Sequence, residues 1–152
     1  MIKAVLTDVD GMLCDYIGIA WIRYLGVNNH IDDEIYDDFE DLIAGYSRGL
    51  VDYNEFTKDR ILLYGEAMKG KDVKEVDRLA NSFFDAFKKG IPKESLNLIK
   101  HFKKQGYKII AITVSPSPVA EYVLKYLGIT EFYSTELEIL NGELSPAEGK
   151  NL

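Results

Sequence analysis

Two carboxylates, Asp8 and Asp10, stand two residues apart at the end of a short apolar run, with Gly11 directly after them. Like charges held this close repel unless a cation or hydrogen-bonding amides offset the repulsion. A metal-assisted phosphoryl-transfer site supplies both. There Asp8 would attack phosphorus and become an aspartyl-phosphate, while Asp10 would protonate the leaving oxygen and later activate water. Gly11 would let backbone N–H groups approach the phosphate closely. The same triplet also suits an Asp-rich turn after a strand for purely conformational reasons. Its surroundings must therefore discriminate.

Those surroundings are two strand ends. Ile2 to Thr7 reads as a buried strand that delivers its C-terminal end into the acidic loop, the position where open α/β sheets carry chemistry. Tyr107 to Thr113 reads as a second buried strand, followed by the loop Val114-Ser115-Pro116-Ser117-Pro118. A Thr113 hydroxyl there would donate to a phosphoryl oxygen held by the first loop. Its alternative role is to cap the next helix, which Ser117 would serve equally well. Ser115 either lines the pocket or shapes the turn.

Between the two strands the pattern turns helical. Ile31, Ile35, Phe39, Leu42, Ile43 and Tyr46 fall on one face, and Asp32, Asp33, Glu34, Asp37, Asp38, Glu40 and Asp41 cover the rest. That acidic surface reads as a solvated face rather than a cation site. Further helices are expected over Tyr53 to Glu66 and Val73 to Lys89, punctuated by Gly65, Gly70 and Gly90. Residues 1–14 and 91–152 then form an α/β core, and residues 15–90 an all-helical insertion. In the second part of the core, Pro92, the stripe Leu96, Ile99 and Phe102, and Gly106 mark a helix before the second strand. Another helix carries Val119, Tyr122, Val123 and Leu127 and closes at Gly128. Alternating strands and helices imply a right-handed crossover and a Rossmann-like parallel sheet. Asn141-Gly142, between Thr135–Leu140 and Glu143-Leu144, signals a hairpin.

Composition narrows the partners. A net charge of -7 over 152 residues, without an offsetting basic block, argues against a nucleic-acid backbone. No segment approaches the roughly 20 apolar residues of a membrane span, and the N-terminus lacks a secretion signal, so a cytoplasmic location without membrane attachment is expected. The single Cys14 reads as a small buried filler, and His30 and His101 as structural or surface residues.

Asp8-Val9-Asp10-Gly11-Met12-Leu13 resembles the first motif of the haloacid dehalogenase superfamily, and Ile112-Thr113-Val114-Ser115-Pro116 resembles the second. Gly106-Tyr107-Lys108, Tyr126-Leu127-Gly128-Ile129, Thr135-Glu136-Leu137-Glu138 and Asn141-Gly142-Glu143-Leu144 are similar to the phosphoserine-phosphatase-like branch. The resemblance implies a Mg²⁺-dependent phosphatase acting on a small phosphorylated metabolite, with the helical insertion as a substrate-selecting cap. Asp8 and Asp10 would be catalytic and would also hold the metal. Gly11, Thr113, Val114 and Lys150 would bind phosphate, Lys150 standing in for the third-motif lysine unless it is simply a solvated terminal residue.

Three departures stand beside that reading. Met12 replaces the usual Thr or Val. Tyr16, Ile17 and Gly18 occupy the neighbourhood of a glutamate typical of the phosphoserine-specific members, which speaks against phosphoserine itself. No acidic fourth motif precedes Leu152, so the core reads as C-terminally incomplete. Loss of a C-terminal segment, a natural remnant, or completion by a second subunit would each explain this, and a homo-oligomer stays open. The alternative function is a catalytically silent phospho-ligand or protein-binding module. A receiver-like signalling domain fits less well, because such domains reach their next strand after a single helix.

Overall fold

The structure, a computed structural model, describes residues 3–145. Three strands form a parallel sheet in the order β1 (Ala4–Asp8), β2 (Lys108–Pro116), β3 (Glu131–Thr135), with β2 in the centre. Asp8 lies in register with Ile112, so β1 ends directly beside Thr113. The register shifts between Ile112 and Pro116, where β2 meets the end of β3. This is the α/β parallel-sheet architecture expected from the alternating pattern.

Five helices separate β1 from β2, namely α1 (Ile17–Val27), α2 (Asp33–Ser47), α3 (Tyr53–Met68), α4 (Val73–Phe87) and α5 (Lys93–Lys104). One more, α6 (Ser117–Leu127), joins β2 to β3. Asp52 starts α3 by accepting from the N–H groups of Asn54 at 2.8 Å and Glu55 at 3.0 Å, and Asp72 starts α4 in the same way. These caps satisfy amides that have no partner inside the helix. α4 ends in a 3-10 turn, Lys88–Gly90, and α6 ends at Gly128 with φ of 80°.

The Asn-Gly signal is realised as the hairpin of β4 (Glu138–Leu140) and β5 (Glu143–Ser145), with positive φ at both Asn141 and Gly142. Its far strand does more than close a turn. The Gly70 N–H donates to the Leu144 carbonyl at 2.8 Å, and the Leu144 N–H donates to the Lys71 carbonyl at 3.0 Å. The hairpin is thereby stitched to the turn between α3 and α4.

Burial follows the strand period on one face only. Thr7, Ile109, Ala111, Thr113 and Ser115 are buried, and α1, α3, α5 and α6 pack on β2. Leu6, Ile112 and Tyr133 on the alternate positions are exposed. The expectation of fully buried strands is thus corrected: among the described residues, the sheet's apolar positions are covered on one side. Strand β3 was also not anticipated as a separate element, because Glu131–Thr135 is short and mixes polar and aromatic residues without clear alternation.

Trp21 anchors the interior. It is fully buried, meets Phe83 edge-on at 5.4 Å and stacks with Tyr24 at 5.9 Å, joining α1 to α4. α1 and α4 in turn pack on α6. No helix among the described residues is long and apolar enough to cross a membrane. Trp21→Ala is expected to cost about 3–5 kcal/mol of stability. The loss would be read as a lowered urea midpoint by circular dichroism, since the variant retains no tryptophan fluorescence.

Candidate active site

The strand β1 ends at Asp8, whose exposed carboxylate accepts a hydrogen bond from the Val9 N–H at 2.8 Å. The chain then turns tightly, because the Val9 carbonyl accepts from the N–H groups of Met12 at 3.2 Å and Leu13 at 2.9 Å. Gly11 takes φ of 75°, and its N–H donates to the Cys14 carbonyl at 2.8 Å. That amide is engaged within the loop. Gly11 serves the turn itself, and a Cβ there would lie 2.9 Å from the Tyr16 hydroxyl.

Asp10 points inward. Its Oδ1 accepts from the Ile17 N–H at 2.8 Å and from the Ser115 hydroxyl at 2.9 Å, and its Oδ2 accepts from the Thr113 hydroxyl. Ser115 Oγ accepts from the Gly18 N–H at 2.9 Å, and the Ser115 N–H donates to Thr113 Oγ1 at 3.0 Å. Three chain segments meet here: the β1 loop, the end of β2 and the first turn of α1. The first amides of α1 lack partners within the helix and carry the positive end of its dipole, so a carboxylate and a hydroxyl are well matched to them. Gly18 makes the approach possible, since a Cβ at that position would sit 2.2 Å from the Tyr64 hydroxyl.

The structure thus brings Asp8, Asp10, Thr113 and Val114 to one cleft, Gly11 follows them in the loop without lining it, and Lys150 lies outside the described residues. Thr113 is buried and commits its hydroxyl to Asp10, so in this arrangement it acts on the carboxylate. Ser115 emerges as part of the site. For a cation, the available donors are the Asp8 carboxylate and the Asp10 backbone carbonyl, because the Asp10 carboxylate is occupied by protein donors. Among the described residues no group of three or more His, Cys, Asp or Glu gathers as a ready-made cage. One carboxylate with water and substrate phosphate is nevertheless a usual donor set for Mg²⁺.

A cleft of about 710 Å³ opens in front of Asp8, bounded by β1, β2 and residues of α1, α2 and α3. Its far wall holds Arg60, only 5% exposed, with the guanidinium 4.7 Å from the Phe56 ring and Nε without a hydrogen-bond partner among the described residues. Tyr46 stacks on Phe56 at 4.2 Å and 11°. Tyr64, one turn beyond Arg60, is fully buried, and burial drives its phenol far above its ordinary pKa against the opposing pull of Arg60. The sequence reading missed Arg60. Its signal is positional: Phe56, Arg60, Tyr64 and Met68 recur every four residues, placing one charge in an apolar stripe.

Two measurements follow from this geometry. Ser115→Ala removes a donor to Asp10 and leaves the buried Gly18 N–H unpaired, which is expected to cost about 1–3 kcal/mol in urea unfolding. Burial, reinforced by Asp10 and Asp15, pushes the Cys14 thiol up to about 12. The thiolate fraction is therefore negligible at pH 8, and a disulfide-exchange reagent is expected to label Cys14 only as fast as the protein unfolds.

The family model of haloacid dehalogenase-like hydrolases matches residues 5–150. No match was found among curated proteins. A protein of unknown function from Bordetella pertussis superposes with a TM-score of 0.79 at 16% identity, over 96% of this chain and 66% of that one. A substrate-bound phosphoserine phosphatase superposes with a TM-score of 0.59 at 17% identity, over 96% of this chain and 61% of that one. For a probable phosphoserine phosphatase from Vibrio cholerae the TM-score is 0.62 at 14% identity, over 96% and 40% respectively. At such identities the likeness establishes a shared fold, and this chain spans less than two thirds of each of these proteins.

Proposed function

Because the chain belongs to the haloacid dehalogenase-like hydrolase family, we propose that it hydrolyses the phosphate monoester of a small metabolite, with Asp8 as nucleophile and Asp10 as acid and base. The observation that carries this reading is the different setting of the two carboxylates. Asp8 is exposed to the cleft and held by one neighbouring amide, whereas Asp10 is fixed behind it by three donors. Asp8 therefore has the open approach to phosphorus that a nucleophile needs, and Asp10 lines the same cleft beside it.

In the first step an Asp8 oxygen attacks phosphorus, the ester P–O bond breaks, and the leaving oxygen takes a proton from Asp10. In the second, water gives a proton to Asp10 and attacks phosphorus, and the bond to Asp8 breaks to release inorganic phosphate. Of the three partners of Asp10, the Thr113 and Ser115 hydroxyls can accept as well as donate. Oδ2, whose one partner among the described residues is the Thr113 hydroxyl, is the oxygen that would turn to the cleft to exchange the proton, while Oδ1 stays held by the Ile17 amide and the Ser115 hydroxyl. Mg²⁺ bound by the Asp8 carboxylate and the Asp10 carbonyl would neutralise phosphate charge and fix its oxygens. Residues 15–90 would act as the selecting cap, with Arg60 placed to meet an anionic or acceptor group on the substrate.

Phosphate release in Mg²⁺ buffer over a panel of metabolite esters tests the reading. Asp8→Asn is expected to lower the rate roughly 10³-fold or more, and removal of divalent ions to abolish it. Equal turnover by Asp8→Asn and the unaltered chain would sink the proposal.

A further inference from the structure

We infer that the alcohol half of the substrate carries a planar ring, so that the site selects ring-bearing phosphate monoesters over acyclic ones. This deepens the phosphatase reading above and rests on it. The cleft in front of the carboxylates is rich in aromatic side chains. Three tyrosines line it from separate places in the chain: Tyr16 just before α1, Tyr46 near the end of α2 and Tyr53 at the start of α3. They remain 53%, 39% and 62% exposed, respectively.

Three large exposed aromatics around one cavity form an apolar surface that water covers poorly, the pattern of a surface built to be covered by something else. Phe56 stiffens it from beneath, being buried, stacked on Tyr46 at 4.2 Å and in contact with the Arg60 guanidinium at 4.7 Å. Tyr46 is therefore held in place before a ligand arrives, and little of its ordering entropy remains to be lost on binding.

The chemistry of the wall selects the ligand. Apart from tyrosine hydroxyls, the polar side chains on this side are Ser47 and Arg60. Arg60 can meet the carboxylate of an amino-acid leaving group, but its ammonium, like the hydroxyls of a polyol, would shed water contacts here and find few replacements, at a cost for each unpaired group. A planar ring instead exchanges water for ring faces, and hydroxyls at the tyrosine edges can meet its heteroatoms. The cavity of about 710 Å³ also has the volume of sites that enclose drug-sized molecules. A phosphate on a three-carbon chain would leave most of it filled with solvent.

The test compares kcat/KM in Mg²⁺ buffer for two ring-bearing substrates, a nucleoside 5′-monophosphate and benzyl phosphate, with two acyclic ones, phosphoserine and glycerol phosphate, all four of which release an alkyl alcohol. At least about a tenfold preference for one or both ring-bearing esters is expected, and which one leads distinguishes a nucleoside from a simple aryl group. Tyr46→Ala and Tyr53→Ala should each cut the ratio of ring-bearing to acyclic kcat/KM about tenfold, within the range for loss of one aromatic stacking partner. Tyr46→Phe should retain the ratio. Tyr53 is exposed at a helix start, so its variant remains informative if Tyr46→Ala fails to fold. Equal or better turnover of the acyclic esters, or a ratio unmoved in Tyr53→Ala, overturns the inference while leaving the phosphatase reading intact. Turnover of none of the four sinks the phosphatase reading instead. Calorimetric titration with the nucleoside monophosphate then decides the ring-binding claim: saturable binding weakened by Tyr53→Ala upholds it, and absence of saturable binding overturns it.

Discussion

The interaction on which the rest of the structure depends is the enclosure of the Asp10 carboxylate. A carboxylate partly withdrawn from water is costly unless its oxygens are satisfied, and here three donors come from two other parts of the chain, the start of α1 and the end of β2. The Ile17 amide, the Thr113 hydroxyl and the Ser115 hydroxyl can reach it only if α1 starts where it does and β2 continues beyond Thr113. Asp10 thus fixes the angle at which the helical layer leaves the sheet. It also fixes where Asp8 stands, because the two share a loop closed on the Val9 carbonyl.

This explains why a helical segment inserted between adjacent strands does not drift from them. One tie is polar, at the start of α1. A second is apolar, where α4 packs on α6 and Trp21 joins Phe83. A third is a backbone ladder, where β5 pairs with the turn after α3. The cleft lies between these ties, so its wall is positioned by several weak constraints rather than one strong one.

Legibility in the sequence followed the range of the interaction. Asp8, Asp10 and Gly11 sit in one short segment, and crowded like charges at a strand end were readable from adjacent residues. Thr113 was readable as a strand-end hydroxyl, yet its partner was not, because the register that places β2 beside β1 is a tertiary fact. Ser115 looked like turn chemistry, since nothing local shows that it bridges Asp10 and the Gly18 amide. Gly18 itself carried no signal, its need arising from Tyr64, which approaches from a helix more than forty residues away in sequence. Arg60 was hidden by the habit of assigning charges to the solvated face of a helix. The caps Asp52 and Asp72 and the Asn141-Gly142 turn obey strictly local rules and appear where those rules place them.

Among the described residues, the uncovered side of the sheet leads to Asp8. Leu6 and Asp8 alternate onto the same side of β1, and Ile112, in register with Asp8, and Tyr133 extend that side across the sheet. An apolar strip therefore runs up to the Asp8 carboxylate. Parallel sheets are ordinarily covered on both faces, and a cover laid over this strip would exclude water from its apolar residues and from beside Asp8 together. The hydration of Asp8 and the wetting of the sheet are coupled through Leu6 and Ile112, which line the same cleft.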